Sequence, residues 1–308
     1  MRLEGIHHIT AITGDARRNL DFYTRILGLR LVKKTANQDV PSIYHLFYGE
    51  ERGEPGASLA FFEYPGIQVG RAGAGMIHRI TWRIGSEQAL GFWSQRLRDE
   101  GLELERAGMR LRFRDPEGLG LELAITEAVD EPLIASHPEI PADLALQGFD
   151  SVRAYARDPE RSRPLLEGTL GFERRSDAVW EVRGEERGGV FVYDSAPVEY
   201  GIQGSGTVHH IAWASPTHEL QNWQGALLTT GARPTPIIDR FWFRSIYFRE
   251  PSGVLFQIAT IDPGFAVDES LEHFGERLVL PPALEHLRGE VEPSLTPLPD
   301  PRASWSRR

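Results

Sequence analysis

The chain has 308 residues, 41% apolar and 25% charged, a globular composition with length enough for two ordinary domains or one large one. A formal net charge of −10 without long basic runs argues against nucleic acid and anionic membranes as main partners. Cysteine is absent, which removes disulfides, thiolate metal sites and a cysteine nucleophile together.

Taken in chain order, EGIHHITA at Glu4–Ala11 reads as an apolar strand that carries two adjacent histidines. Asp15 is placed to cap a helix whose Leu20, Tyr23 and Leu27 share one face, and Gly28 ends it. SIYHLFY and SLAFFEY follow as strand-like stretches. IHRITW at Ile77–Trp82 opens a second unit, which closes through FRDPEGLGLELAIT with a turn at Asp-Pro-Glu-Gly. A link rich in Pro, Asp and Glu spans Val129–Leu146. GFDSVRAYARDPERSRPLLEGTLGFER then begins at Gly148, GTVHHIAW occupies Gly206–Trp213, and FREPSGVLFQIAT begins at Phe248.

These segments repeat one another. Gly5 and Gly148, Asp15 and Asp158, and Gly28 and Gly171 are each 143 residues apart. IHRITW precedes VHHIAW by 131 and FRDPEG precedes FREPSG by 135, so an insertion of four is expected near Pro234–Phe241. The chain is therefore read as four modules of roughly 50–60 residues, each a strand, a helix and three strands. The α+β fold expected is four βαβββ modules in two halves, 1–128 and 146–262, paired into curved mixed sheets around a metal cleft, with a tail at 263–308. The tail could cover the cleft or a neighbouring subunit. The acidic run Asp268–Glu276 reads as a solvated helix face.

Two histidine pairs in apolar strands point to a shared metal. A lone buried histidine is ordinarily a ring bonded to a backbone carbonyl; a duplicated pair is harder to explain that way. Neighbours on a strand point to opposite faces, so one histidine of each pair can be a ligand, and periodicity does not choose which. His78 has Arg79 beside it and reads as structural. Modules two and three, with Asp150 and Ser151 at the histidine positions, read as a metal-free counterpart.

With LGLRLVKKT, IYHLFYG, GTVHHIAW and RSIYFREPSGVLF, the chain from about Leu3 to Asp262 resembles the vicinal oxygen chelate superfamily (glyoxalase, bleomycin-resistance and extradiol dioxygenase proteins). Within it the resemblance is to the hydroquinone-type ring-cleaving dioxygenases. It implies an Fe(II) enzyme in aromatic degradation that cleaves a hydroquinone or catechol with O2; Mn, Zn or Ni are the alternative metals, tied to isomerase chemistry, and a chain without cysteine or a signal-peptide core is expected to be cytoplasmic. The resemblance places metal ligands at His8 and His210, the second histidine of each pair. The family's third ligand, a glutamate four residues after the turn glycine, falls here on Gln257, while Glu122 is its counterpart in module two. It also implies acid–base or binding roles for His7, His209, Thr10, Tyr247 and Arg240. Tyr247 alone reads equally as a cross-strand aromatic and Arg240 as a solvated charge, and Phe241–Phe243 read first as core.

A glyoxalase-like metal-dependent isomerase or lyase is the alternative favoured by Gln257, and a non-catalytic aromatic-binding protein is a second. A small aromatic diol and O2 are the partners expected. No apolar run is long enough for a membrane helix, and MRLEGIHH carries no signal-peptide core. A homo-oligomer is allowed but not specified.

Overall fold

The computed structural model describes residues 1–303 and Trp305. Module one comprises β1 (Ile6–Thr13), α1 (Ala16–Asp21), β2 (Arg30–Ala36), β3 (Tyr44–Gly49) and β4 (Ser58–Glu63). Module two comprises β5 (Ile77–Ile84), α2 (Glu87–Asp99), β6 (Glu105–Ala107), β7 (Arg110–Arg114) and β8 (Gly120–Ile125). Module three follows with β9 (Phe149–Ala156), α3 (Arg163–Gly168), β10 (Glu173–Ser176), β11 (Val179–Arg183) and β12 (Gly188–Ser195). Module four has β13 (Val208–Ser215), α4 (Leu220–Thr229), β14 (Ile238–Asp239), β15 (Phe243–Arg249) and β16 (Leu255–Pro263). All four keep the expected order. Asp15 caps α1 by accepting from the Arg17 and Arg18 amides, and the helix then widens into a π turn over Phe22–Ile26. The extra residues of module four lie between α4 and β15, where the segments 230–237 and 240–242 are longer than 100–104 and 108–109 in module two.

Pairing follows the open edges rather than chain order. A single module leaves its first strand unpaired on one side, and another first strand satisfies it. One eight-stranded sheet runs β14-β15-β16-β13-β1-β4-β3-β2 and the other β10-β11-β12-β9-β5-β8-β7-β6. Module four is thus joined to module one, and module three to module two, through the antiparallel pairs β1–β13 and β5–β9. Both sheets are mixed and curved, and each draws one module from each half of the sequence.

A bulge marks every first strand. The register slips between Ile6 and His8 and between Thr10 and Ala11 in one sheet, which puts His7 and His209 on the bulges. In the other sheet the slips fall at His78 and Asp150. A glycine in the left-handed region leads into each bulge. At Gly5 (φ 83°) a Cβ would lie 2.5 Å from the Gly188 carbonyl oxygen, and at Gly206 (φ 75°) 2.1 Å from that of Glu117. Only glycine fits so close an approach.

The main core runs through both sheets and includes the fully buried Trp82, Trp93, Trp180, Trp213 and Trp223. A second cluster forms on the face of the first sheet that carries Phe47, Ala60 and Ala212, closed by Trp242, Phe243 and the tail residues Phe265, Phe274 and Val279. The tail therefore covers its own chain. The acidic run in it is not a solvated helix: short 3-10 turns at Phe265–Val267 and Leu271–His273 bring Asp268 and the buried Glu269 onto the fully buried Lys33. Lys33 also lies 5.4–5.9 Å from the ring centres of Trp242, Phe265 and Phe274. A buried ammonium needs such partners, and the tail supplies both carboxylates. Among the described residues no helix is long and apolar enough to cross a membrane.

Candidate metal centre

The register of the first sheet places the expected site residues in two neighbouring rows on one face. The first row reads Tyr247, Gln257, Ala212, His8 and Ser58 across β15, β16, β13, β1 and β4. The second reads His210, Thr10, Ala60, Phe47 and Lys33 across β13, β1, β4, β3 and β2. Alanines at Ala212 and Ala60 leave the space that longer side chains converge on. His8, His210, Thr10 and Gln257 are all buried.

The bulges overturn strict alternation at the histidine pairs. Instead of pointing away, His7 Nδ1 lies 2.8 Å from His8 Nδ1, and His209 Nδ1 lies 2.8 Å from His210 Nδ1. His7 Nε2 is 3.2 Å from the Thr260 carbonyl oxygen, which can only accept. The His7 proton is therefore assigned to Nε2, its Nδ1 accepts, and His8 donates from Nδ1. That leaves a lone pair on His8 Nε2, turned toward His210 Nε2 at 3.4 Å. If His210 follows the same pattern, two lone pairs face each other, an arrangement that calls for a cation between them.

Burial is the main cause that lowers the pKa of both rings well below that of free histidine. The neighbouring His7 adds to it at His8, and His209 at His210. Burial also takes His7 down to about 4. All three are neutral at pH 7, the form that binds metal. Gln257 is fully buried close to both rings, and neither its Oε1 nor its Nε2 makes a hydrogen bond of regular geometry; the Thr10 hydroxyl is unpartnered. An orphaned buried amide beside two imidazole lone pairs fits a divalent ion with two nitrogen ligands and one oxygen ligand. At a separation of 3.4 Å both nitrogens could reach one ion. Among the described residues no group of three His, Asp or Glu forms a metal site, because the third position is the neutral Gln257.

Around this centre the walls are aromatic and cationic. Tyr247 meets the His210 ring edge-on at 5.5 Å, and the Arg240 guanidinium lies 5.9 Å from the Tyr247 ring centre. Arg240 is largely covered and pairs with Asp39 through both terminal nitrogens at 3.0 and 2.8 Å, so it is not a solvated charge. Phe241 beside it has φ 72°, a strained conformation for a bulky residue that sets the turn carrying Arg240. The aromatic triplet divides: Trp242 and Phe243 are both core and cavity wall, and Phe243 stands 5.2 Å from the His8 ring. His209, in contrast, is exposed and faces a separate hollow with Arg249. His45, Phe62, Gln38 and Asp39 also line the central cavity, of about 30 Å³. Sequence reading passed over them. The usable signal was His45 in IYHLFYG, a third histidine in an apolar strand.

The second sheet holds the counterpart of each position. Arg112, Glu122, Thr81 and Ser151 form a row equivalent to Tyr247, Gln257, Ala212 and His8, and Arg79 with Arg153 stands for His210 with Thr10. His78 has a structural partner in Asp194, at 2.8 Å, and stacks on Tyr155.

A family model described as Glyoxalase/Bleomycin resistance protein/Dioxygenase superfamily matches residues 5–123 and 148–258. The chain belongs to that superfamily. Among curated relatives, a Bacillus subtilis (strain 168) protein provisionally named ring-cleaving dioxygenase MhqO is 40% identical over 301 residues, covering 95% of this chain and 96% of its own. Chlorohydroquinone/hydroquinone 1,2-dioxygenase of Sphingobium indicum is 32% identical over 315 residues, covering 94% and 95%. A crystal structure of a provisionally assigned dioxygenase from Bacillus subtilis superposes with a TM-score of 0.90 at 38% identity, over 97% of this chain and 98% of that one.

Proposed function

We propose that this superfamily member is a non-heme iron(II) dioxygenase that opens the ring of a hydroquinone or catechol. The convergence of His8 Nε2, His210 Nε2 and the unpartnered Gln257 amide in one aromatic-walled cavity carries the reading. Full-length relatives named for ring cleavage and hydroquinone oxidation support the substrate class.

Iron(II) held by His8, His210 and Gln257 would bring the diol and dioxygen together and pass electrons between them. The protein's own part is positional and electrostatic. His7 and His209 hold the two ligand rings through their Nδ1 atoms, as carbonyl or carboxylate partners do at other metal histidines. Tyr247 is placed to exchange a proton with a ring oxygen, and Arg240 to attract the phenolate form. A cavity of about 30 Å³ is smaller than one that holds benzene, roughly 150 Å³, so its walls must move apart to admit a ring. Phe243, Phe47 and Phe62 then exclude water from the diol.

The test is oxygen uptake by protein loaded anaerobically with iron(II), on a panel of hydroquinones and catechols. Uptake that disappears in His8→Ala is expected. Iron-loaded protein that consumes no oxygen with any diol overturns the proposal. Gln257 favours one second reading, a proton-moving isomerase with a redox-inert metal, since a neutral ligand leaves the ion a stronger Lewis acid. Tight retention of zinc, nickel or manganese in preference to iron would select it.

A further inference from the structure

The central cavity contains a histidine that neither the metal centre nor its supporting shell uses. His45 lies on β3, cross-strand from Phe62 and from Thr35. Its ring packs against Phe47 at 4.0 Å and Phe62 at 4.5 Å. Those two rings in turn approach the ligand histidines: Phe47 is 6.3 Å from His8, and Phe62 is 6.4 Å from His210. His45 Nε2 is buried and has no hydrogen-bond partner. A buried polar atom without a partner costs stability unless something fills the role.

The register shows that His45 is not a fourth ligand. Phe47 lies in the row of His210 and Thr10, whereas His45 is level with Phe62 and Ile12, two residues farther along the strand. From His210 that offset is about 7 Å along the strands with three strand spacings, about 14 Å, across the sheet, and from His8 it is about 13 Å along with two spacings, about 10 Å, across. The imidazole therefore stands at the far end of an aromatic slot whose near end is the metal centre. Burial, and then the Arg240 charge, lower its pKa well below that of free histidine and keep it neutral. A neutral imidazole nitrogen between two phenyl rings matches a flat ring bearing a hydroxyl at its distal edge.

We propose that His45 is a substrate-recognising residue whose Nε2 hydrogen-bonds the ring oxygen lying farthest from the metal centre. The inference rests on reading the cavity as a site for an aromatic diol. It assigns His45 the discrimination between a ring with a remote hydroxyl and one without.

The test measures binding without oxygen, so that it stands apart from turnover. Iron(II)-loaded full-length protein is titrated anaerobically with hydroquinone and with phenol, for the unmodified chain, His45→Gln and His45→Leu. The unmodified chain is expected to prefer hydroquinone. His45→Leu should lower the ratio of hydroquinone to phenol affinity on the order of tenfold, while His45→Gln, which keeps a polar group at similar reach, retains most of it. Should His45→Leu fail to fold, the shorter His45→Asn carries the same expectation. An unchanged ratio, failure to bind either ring, or a loss of bound iron in the His45 variants overturns the proposal. Binding that depends on His45 without oxygen uptake sinks the dioxygenase reading and leaves this inference standing. Oxygen uptake with an unchanged ratio does the reverse.

Discussion

The two sheets share a backbone plan and differ in what stands on it. Both join two first strands in antiparallel fashion, and both carry bulges at the same places. In the second sheet the position of Gln257 is held by Glu122, which is buried and takes hydrogen bonds from Arg110 at 2.5 Å and Arg112 at 2.7 Å, with Arg79 at 3.7 Å. Burial alone would raise the Glu122 pKa, but the two arginine hydrogen bonds outweigh it and hold the carboxyl ionised. Positive charge there is supplied by side chains. In the first sheet the same positions hold neutral histidines, whose Nε2 atoms turn toward each other, and a neutral amide without a partner. One sheet pairs its charges as folded, and the other gathers neutral rings and an amide around the candidate site. The bulge thus belongs to the fold, and the residues placed on and beside it decide whether the sheet carries neutral histidines or an ion-pair cluster.

His8→Ala should have the largest effect, loss of stoichiometric metal and a fall in oxygen uptake of at least about 100-fold, read by metal analysis and an oxygen electrode. Full metal binding in that variant would move the site elsewhere and erase the contrast. The pH dependence of metal-free protein comes next. The folded-state pKa of His7, about 4, lies below its ordinary value of 6.5, so the unfolded chain binds the proton more readily between these values. Stability is then full above pH 6.5 and falls as pH drops toward 4, by roughly 2–3 kcal/mol from this group. Denaturant midpoints across that window check it. A slope that is unaltered in His7→Gln would remove His7 as the cause.

Glu122→Gln leaves Arg79, Arg110 and Arg112 without their shared anion. Because those arginines are partly solvated, the expected cost is about 2 kcal/mol rather than the larger loss of a fully buried pair. Metal content should not change, and thermal denaturation reads the loss. The smallest effect is expected for Gln257→Glu, which adds a negative ligand to the first sheet. Metal affinity should rise on the order of tenfold and become pH-dependent, because a buried carboxyl must lose its proton to bind. Metal titration at two pH values is the measurement; unchanged affinity would mean that Gln257 is not a ligand.

Much of this was legible before any coordinates. The 143-residue offset of Gly5 and Gly148, the turn signals and the strand patterning led to four modules, because period and turn chemistry are local properties of the chain. The candidate site was legible through His8, His210 and the Gln257 position, which the structure brings to one face, since paired histidines in apolar strands are rare and costly without a partner. What stayed hidden depended on contacts between distant segments. The pairing of module one with module four follows from which strand edges remain open in space. The His7–His8 and His209–His210 contacts follow from bulges, where a register slip overrides the two-residue alternation. The acidic tail looked solvated because its cation, Lys33, lies more than 230 residues away. His45 is one more case, an ordinary strand residue until β3 is folded into the sheet that carries His8 and His210. The sequence determined the modules and the chemical types at the centre, because those are written in local spacing. Tertiary structure alone decided which modules share a sheet, which nitrogen faces inward and what covers the cleft, because burial and pairing are properties of the closed chain.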